Sequence, residues 1–209
     1  KDAPPDTIRF VATDGNRLGM IDRILVDWTI TKGAMIPSSG VSEIKKILDG
    51  CQDSVYVSID NQFFSIMSDG VILAVRLNSG EYPDYTLALP KEIVSSATFN
   101  REALLSAVKR VSVVSTEKFK TIKLEFTPEE ISLSCSSPQY GESKEVIEAD
   151  FSGEPFSIGF SARLLAEQLS NFKDSEKIVA DFTGTSGPAK FLGDNDKDYI
   201  SIIMPMRVS

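Results

Sequence analysis

The chain contains no histidine. A Ser-His-Asp or Cys-His nucleophile system and a histidine-containing zinc site are therefore both excluded. Cysteine is scarce: Cys51 and Cys135 are too few for a disulfide framework and lack metal-ligand spacing, so a reducing cytoplasm is the expected compartment. No apolar run approaches the roughly 20 residues that span a bilayer. The opening Lys1-Asp2-Ala3-Pro4-Pro5-Asp6 has neither an initiator methionine nor a signal-peptide apolar region, which predicts a processed chain or a fragment. Without histidine, acid–base chemistry would fall to Asp, Glu, Lys or Tyr, and no constellation of these stands out. Asp194, Asp196 and Asp198 superficially suggest a calcium loop. That stretch lacks glycine at the sixth position and glutamate at the twelfth, so it reads as a solvated hairpin tip. The expectation is a protein with no catalytic residue, no metal and no cofactor.

What is present is an ordinary globular composition, with 42% hydrophobic and 25% charged residues over 209 positions. That length holds one large domain or two of about 100 residues. The net charge of −8 argues against nonspecific nucleic-acid binding by the molecule as a whole, yet the charge is unevenly spread. Three helical windows, 39–50, 100–120 and 161–173, hold nine basic and five acidic residues, so they carry +4 while the remainder carries −12. If equivalent helices share a side, that side suits phosphate contacts that do not read bases. The alternative is a solvated helix surface, and nothing resembles a recognition helix or a base-stacking array.

The chain also repeats itself. A helical pattern with Val41, Ile44, Ile47 and Leu48 on one face stops at Gly50 and precedes strand-like runs at 54–59, 63–67 and 71–77. A second helix carries Leu104, Leu105, Val108 and Val111, with runs following at 122–126, 131–135 and 145–149. A third carries Leu164, Leu165 and Leu169, followed by 178–182, 189–192 and 199–203. Ser39, Asn100 and Ser161 stand where helix N-caps belong, 61 residues apart in both intervals. The unit is strand, helix, three strands, an α+β layer whose long period indicates duplicated domain units. Runs at 7–12 and 18–25 read as the tail of an earlier unit, so the chain is expected to begin mid-domain. The stretch 84–95, with Pro90 and little periodicity, reads as a linker.

Three segments carry the most specific signal. Ala12-Thr13-Asp14-Gly15-Asn16-Arg17-Leu18 is a strand entering a tight turn, with Gly15 supplying a positive-φ position. Gly80-Glu81-Tyr82-Pro83-Asp84-Tyr85 joins turn chemistry to two aromatic rings, and the chain closes on Met204-Pro205-Met206-Arg207. Methionine suits surfaces that accept variable apolar partners. Together with Glu117-Lys118-Phe119, these segments resemble the bacterial DNA polymerase III beta subunits, the sliding clamps, over essentially the whole chain.

The resemblance implies a DNA-clamp fold of repeated strand–helix–three-strand units, with helices lining a ring interior and sheets outside. It implies an incomplete middle domain at 1–86 and a C-terminal domain at 87–209. The family is a non-catalytic processivity factor: a head-to-tail homodimer encircles duplex DNA and docks the replicative polymerase, clamp loader and repair proteins through short hydrophobic peptides. A fragment of this extent is expected not to close a ring. Carried over residue by residue, the peptide groove comprises Thr13, Gly15, Asn16, Arg17, Leu18, Pro83, Leu87, Ala88, Pro188, Ile202, Met204, Pro205, Met206 and Val208. Asn16 replaces a frequent histidine, Leu87-Ala88 a common Arg-Val pair, and Val208 the usual terminal leucine. The implied DNA-facing residues are Lys45, Lys46, Lys109, Arg110, Lys118, Lys120 and Arg163. The alternative reading is a non-catalytic α+β domain that binds a peptide or small molecule and has nothing to do with DNA.

Overall fold

A computed structural model describes residues 7–24, 33–51, 54–114 and 121–207. In chain order these form β1 (Thr7–Thr13), β2 (Arg17–Ile24), α1 (Ser38–Gly50), β3 (Tyr56–Ile59), β4 (Phe63–Ser68) and β5 (Val71–Arg76). A 3-10 turn at Tyr85–Ala88 precedes β6 (Ser95–Asn100), α2 (Arg101–Val111) with a second 3-10 turn at Ser112–Val114, β7 (Thr121–Phe126), β8 (Glu130–Ser137) and β9 (Gly141–Ser152). The chain continues through β10 (Phe156–Ser161), α3 (Ala162–Asn171), β11 (Lys177–Phe182), β12 (Ala189–Gly193) and β13 (Tyr199–Ile203). The strand–helix–three-strand unit therefore occurs twice in succession, as β6–α2–β7–β8–β9 and β10–α3–β11–β12–β13.

Chain contacts gather two compact units: the described residues within Lys1–Val26 and Tyr85–Ser209, and those within Asp27–Asp84. The larger unit is built on one antiparallel sheet of order β1-β2-β13-β12-β11-β6-β9-β8-β7-β10. Its two repeats cross over: β6 pairs with both β11 and β9, while β10 pairs with β7 and touches the chain end through a Gly159–Met206 bridge. Helices α2 and α3 pack against each other, and both turn their apolar stripes to the sheet. Leu104, Leu105, Val108 and Val111 of α2 and Leu165 and Leu169 of α3 are buried in one core with Phe99, Ile122, Phe126, Phe160 and Phe182. Phe126 sits at its aromatic centre, with ring centroids 4.8 Å from Phe182 and 5.1 Å from Phe156. Each such fully buried side chain contributes about 1.5–3 kcal/mol relative to exposure.

The helix starts follow the sequence reading in two cases and depart from it in one. Asn100 accepts a hydrogen bond from the Ala103 N–H at 2.9 Å, and Ser161 accepts one from the Leu164 N–H at 3.4 Å. The first helix is not capped by Ser39. It begins two residues earlier than that cap would place it, at Ser38, its cap position is Pro37, and no side-chain cap bond is made. Proline's fixed φ, −65° here, suits entry to a helix, but proline offers no side-chain acceptor. Gly50, read as the stop, is the helix's last residue.

The smaller unit contains α1 and the three-stranded sheet β3-β4-β5. Gly40 lies where helix meets sheet: a Cβ there would fall 2.3 Å from Val75 Cγ1. Among the described residues no helix is long and apolar enough to cross a membrane.

The segment read as a linker is packed. Tyr85, Ala88 and Leu89 lie against Leu18, Met20 and Ile202, on one face of the β1-β2-β13 end of the sheet. The β1–β2 hairpin, expected with the middle domain, is continuous with the sheet of the following repeats, because β2 pairs with β13 from Arg17–Ile203 to Ile21–Tyr199.

Candidate functional site

The turn between β1 and β2 is shaped by its own polar atoms. Asp14 Oδ1 accepts the N–H groups of Asn16 and Arg17 at 3.0 and 3.1 Å. Thr13 Oγ1 donates to the Arg17 carbonyl at 2.8 Å and accepts from the Gly15 N–H at 3.2 Å. Gly15 has φ of +86°, a left-handed conformation that a side chain would strain. This geometry turns the Asn16 carbonyl to the Met204 N–H, which donates to it at 2.8 Å. The turn and the chain's closing segment are thereby one structure.

Strand alternation then sorts the neighbouring side chains onto two faces. Leu18 and Ile202 are register partners, 2% and 1% exposed, and form a closed apolar floor with Met20. The one-turn helix Tyr85–Ala88 lies on that floor, with Ala88 half-buried and Leu87 turned out at 75% exposure. Beyond Ile202, Pro205 interrupts the ladder and leaves Met204 39% exposed. Met206 is half-buried, with its N–H donating to the Gly159 carbonyl at 2.8 Å and its Sδ 3.9 Å from Thr121 Oγ1. Pro188 is half-buried, and its carbonyl accepts the Thr183 hydroxyl at 3.2 Å. The site thus offers exposed apolar side chains on a rigid, buried support.

Arg17 belongs to the other face. Its guanidinium bonds Asp14 at 3.1 Å and Glu167 of α3 at 2.6 Å, and Glu167 also pairs with Arg163 at 2.8 Å. Partial burial opposes charge on all three of Asp14, Arg17 and Glu167. The hydrogen bonds outweigh it, holding both carboxyls below their ordinary range and raising Arg17. Of the other groove residues, Thr13, Gly15 and Asn16 lie at the exposed turn, and Pro83 belongs to the smaller unit. Val208 lies outside the described residues.

The candidate DNA-facing residues occupy helix surfaces. Lys45 and Lys109 are exposed and form no ion pair among the described residues. Lys46 pairs with Glu43 at 2.7 Å. Arg110, in the last turn of α2, forks onto Glu145 of β9, its Nε 3.0 Å from Oε2, and holds that carboxyl below its ordinary range. Exposed pairs of this kind are worth about 0–1 kcal/mol, so a polyanion can compete for these cations. Lys118 and Lys120 lie outside the described residues.

Sequence reasoning missed Glu145, Glu167 and the Tyr85–Leu89 cover. Only the Arg163–Glu167 spacing of one helical turn was a readable signal. The aspartates of the candidate calcium loop are engaged elsewhere. Asp194 accepts the Lys177 N–H at 3.2 Å, and Arg23 pairs with Asp196 at 2.6 Å and Asp198 at 4.0 Å.

Residues 3–84 match the family described as DNA polymerase III beta subunit, central domain, and residues 86–207 the one described as DNA polymerase III beta subunit, C-terminal domain. The chain is 26% identical over 202 residues to the beta sliding clamp of Caulobacter vibrioides, covering 96% of this chain and 54% of that protein. A crystal structure of the C. crescentus beta sliding clamp superimposes with a TM-score of 0.93 at 26% identity, covering 97% of this chain and 54% of that one. A Bartonella birtlesii sliding clamp bound to griselimycin gives 0.92 at 27% identity, covering 97% and 55%. The chain therefore spans about half the length of the relatives it matches.

Proposed function

Because the chain belongs to the DNA polymerase III beta subunit family, we propose that it is the middle and C-terminal part of a sliding clamp, which tethers the replicative polymerase to duplex DNA in the cytoplasm. It performs no catalysis; its parts are a ring wall and a docking surface. The observation that carries the reading is the junction of the Asp14–Arg17 turn with Met204, an exposed apolar edge over the buried Leu18–Ile202 floor. Such an edge takes leucine and aromatic side chains of short partner peptides, while turn backbone fixes their register. Thr13, Leu18, Leu87, Ala88, Pro188, Ile202, Met204, Pro205 and Met206 form this dock. Lys45, Lys46, Lys109, Arg110 and Arg163 supply sequence-independent phosphate contacts. We keep the family's division near residue 85, with the β1–β2 hairpin a middle-domain element added to the C-terminal sheet.

The internal repeat also suggests how a ring closes. β13, the last strand of the second repeat, receives β2 along its outer edge. Its counterpart in the first repeat is β9, which pairs with β6 only over Ala149–Ser152. Residues 141–148 of β9 keep an edge without a strand partner among the described residues, and Val146 there is 48% exposed. A strand from a neighbouring subunit would add at that edge as β2 adds to β13.

The test uses the protein translated from the complete reading frame, loaded onto nicked circular DNA. A topological tether stays on the circle through a high-salt wash and is lost once the circle is cut. Equal retention on circular and linear DNA would overturn the reading.

A further inference from the structure

We propose that Glu167 is a positioning residue for the Met204 site: it fixes Arg17, and through Arg17 the turn whose Asn16 carbonyl holds the Met204 N–H. The proposal rests on the docking reading for its biological meaning, but the coupling stands on geometry alone. Residues Thr13 to Asn16 are exposed and bury no apolar side chain, so polar bonds set the shape of this turn. Four alternating charges, Arg163, Glu167, Arg17 and Asp14, run in sequence from α3 to the turn, with successive separations of 2.8, 2.6 and 3.1 Å. Asp14 accepts three bonds from within the turn, so any swing of Arg17 is felt by the acceptor that shapes it. Among the described residues Asp14 and Glu167 are the anions paired with Arg17. The polar neighbour Tyr199, on the same face of the sheet, engages Gln168 and Asn171.

Glu167 also decides what Arg17 is free to do. With both carboxylates in place, the guanidinium is bonded on two sides and held away from the Leu18 face. Without Glu167 it keeps only the exposed bond to Asp14 and can swing toward solvent and any docked peptide. The dock presented to a partner is therefore apolar, and its cation is held in reserve behind the sheet.

The chain's five methionines make the coupling directly readable. Methyl-13C-methionine spectra would be recorded for the wild-type chain and for Glu167→Gln, Arg17→Gln, the double variant and Arg163→Gln. Glu167→Gln should move the Met204 methyl and amide signals while Met35 and Met67, in the other unit, stay in place. The double variant should add nothing to Arg17→Gln, because the two residues act as one. Glu167→Asp should restore part of the shift. Arg163→Gln breaks the other pair of Glu167 without touching Arg17 and should leave Met204 unchanged. Affinity for a labelled peptide with leucine and phenylalanine anchors should fall by about threefold to tenfold in Glu167→Gln. An unmoved Met204 in Glu167→Gln, or equal movement in Arg163→Gln, would overturn the proposal. If the wild-type chain binds no peptide, the docking reading fails, and the methionine signals still decide the coupling.

Discussion

Helices α2 and α3 of the larger unit and α1 of the smaller one come from the same repeat, yet they are stabilised differently. α2 buries Leu104, Leu105, Ala107, Val108 and Val111, and α3 buries Leu164, Leu165 and Leu169, each against the other repeat as well as its own strands. α1 buries only Gly40, while Val41 and Leu48 stay 51% and 45% exposed. On β3, β4 and β5 the register row Tyr56, Met67 and Ile72 is likewise exposed. The lesson is that one strand–helix–three-strand unit cannot close a core alone. Two repeats supply each other's missing face, and the fold is a pairing rule before it is a list of elements.

The largest effect should come from breaking the paired core. Leu165→Ala should cost about 2–5 kcal/mol in urea unfolding, whereas Leu48→Ala, on the half-open helix, should cost under about 1 kcal/mol. Similar costs at the two positions would dissolve the comparison. Gly40→Ala should come next: a methyl forced against the stiff Val75 side chain costs about 1–3 kcal/mol. Amide exchange should speed up in α1 and β5 while α2 keeps its protection.

Capping sharpens the contrast further. Asn100→Ala should cost about 1 kcal/mol of α2 stability, and Ser39→Ala close to nothing, because α1 has no side-chain cap to lose. Thermal unfolding of the two variants checks this. The smallest effect is electrostatic. The native-state values of Asp14 and Glu167 are depressed, so their stabilisation is fully present above the ordinary carboxylate range. It is lost as the pH falls through the native values. Both groups are substantially exposed, so the loss should be below about 1 kcal/mol, read as a steeper acid limb of the stability curve than in an Arg17→Gln variant.

Much of the fold was legible because the repeat writes the same hydrophobic period three times and places Asn100 and Ser161 at true caps. The period misled at Ser39, where a proline two residues earlier took the cap position. The turn at Asp14-Gly15-Asn16 was readable from local chemistry alone. What escaped was everything that depends on facing. Arg17 and Leu18 are neighbours in sequence, but strand alternation puts one against α3 and the other on the apolar floor. The Tyr85–Leu89 cover looked like a linker because a one-turn helix leaves no periodic trace. The Arg17–Glu167 pair joins residues far apart in the chain, and only the sheet brings them together.

The central claim is that Met204, held by the Asn16 carbonyl, is the edge on which partner peptides dock. A fluorescence anisotropy titration of a labelled peptide with leucine and phenylalanine anchors, comparing the wild-type chain with Met204→Ala, tests it most directly. Loss of an exposed methionine that a docked peptide would cover predicts affinity weakened at least about tenfold with the unfolding midpoint unchanged. Identical titration curves for the two proteins would contradict the account.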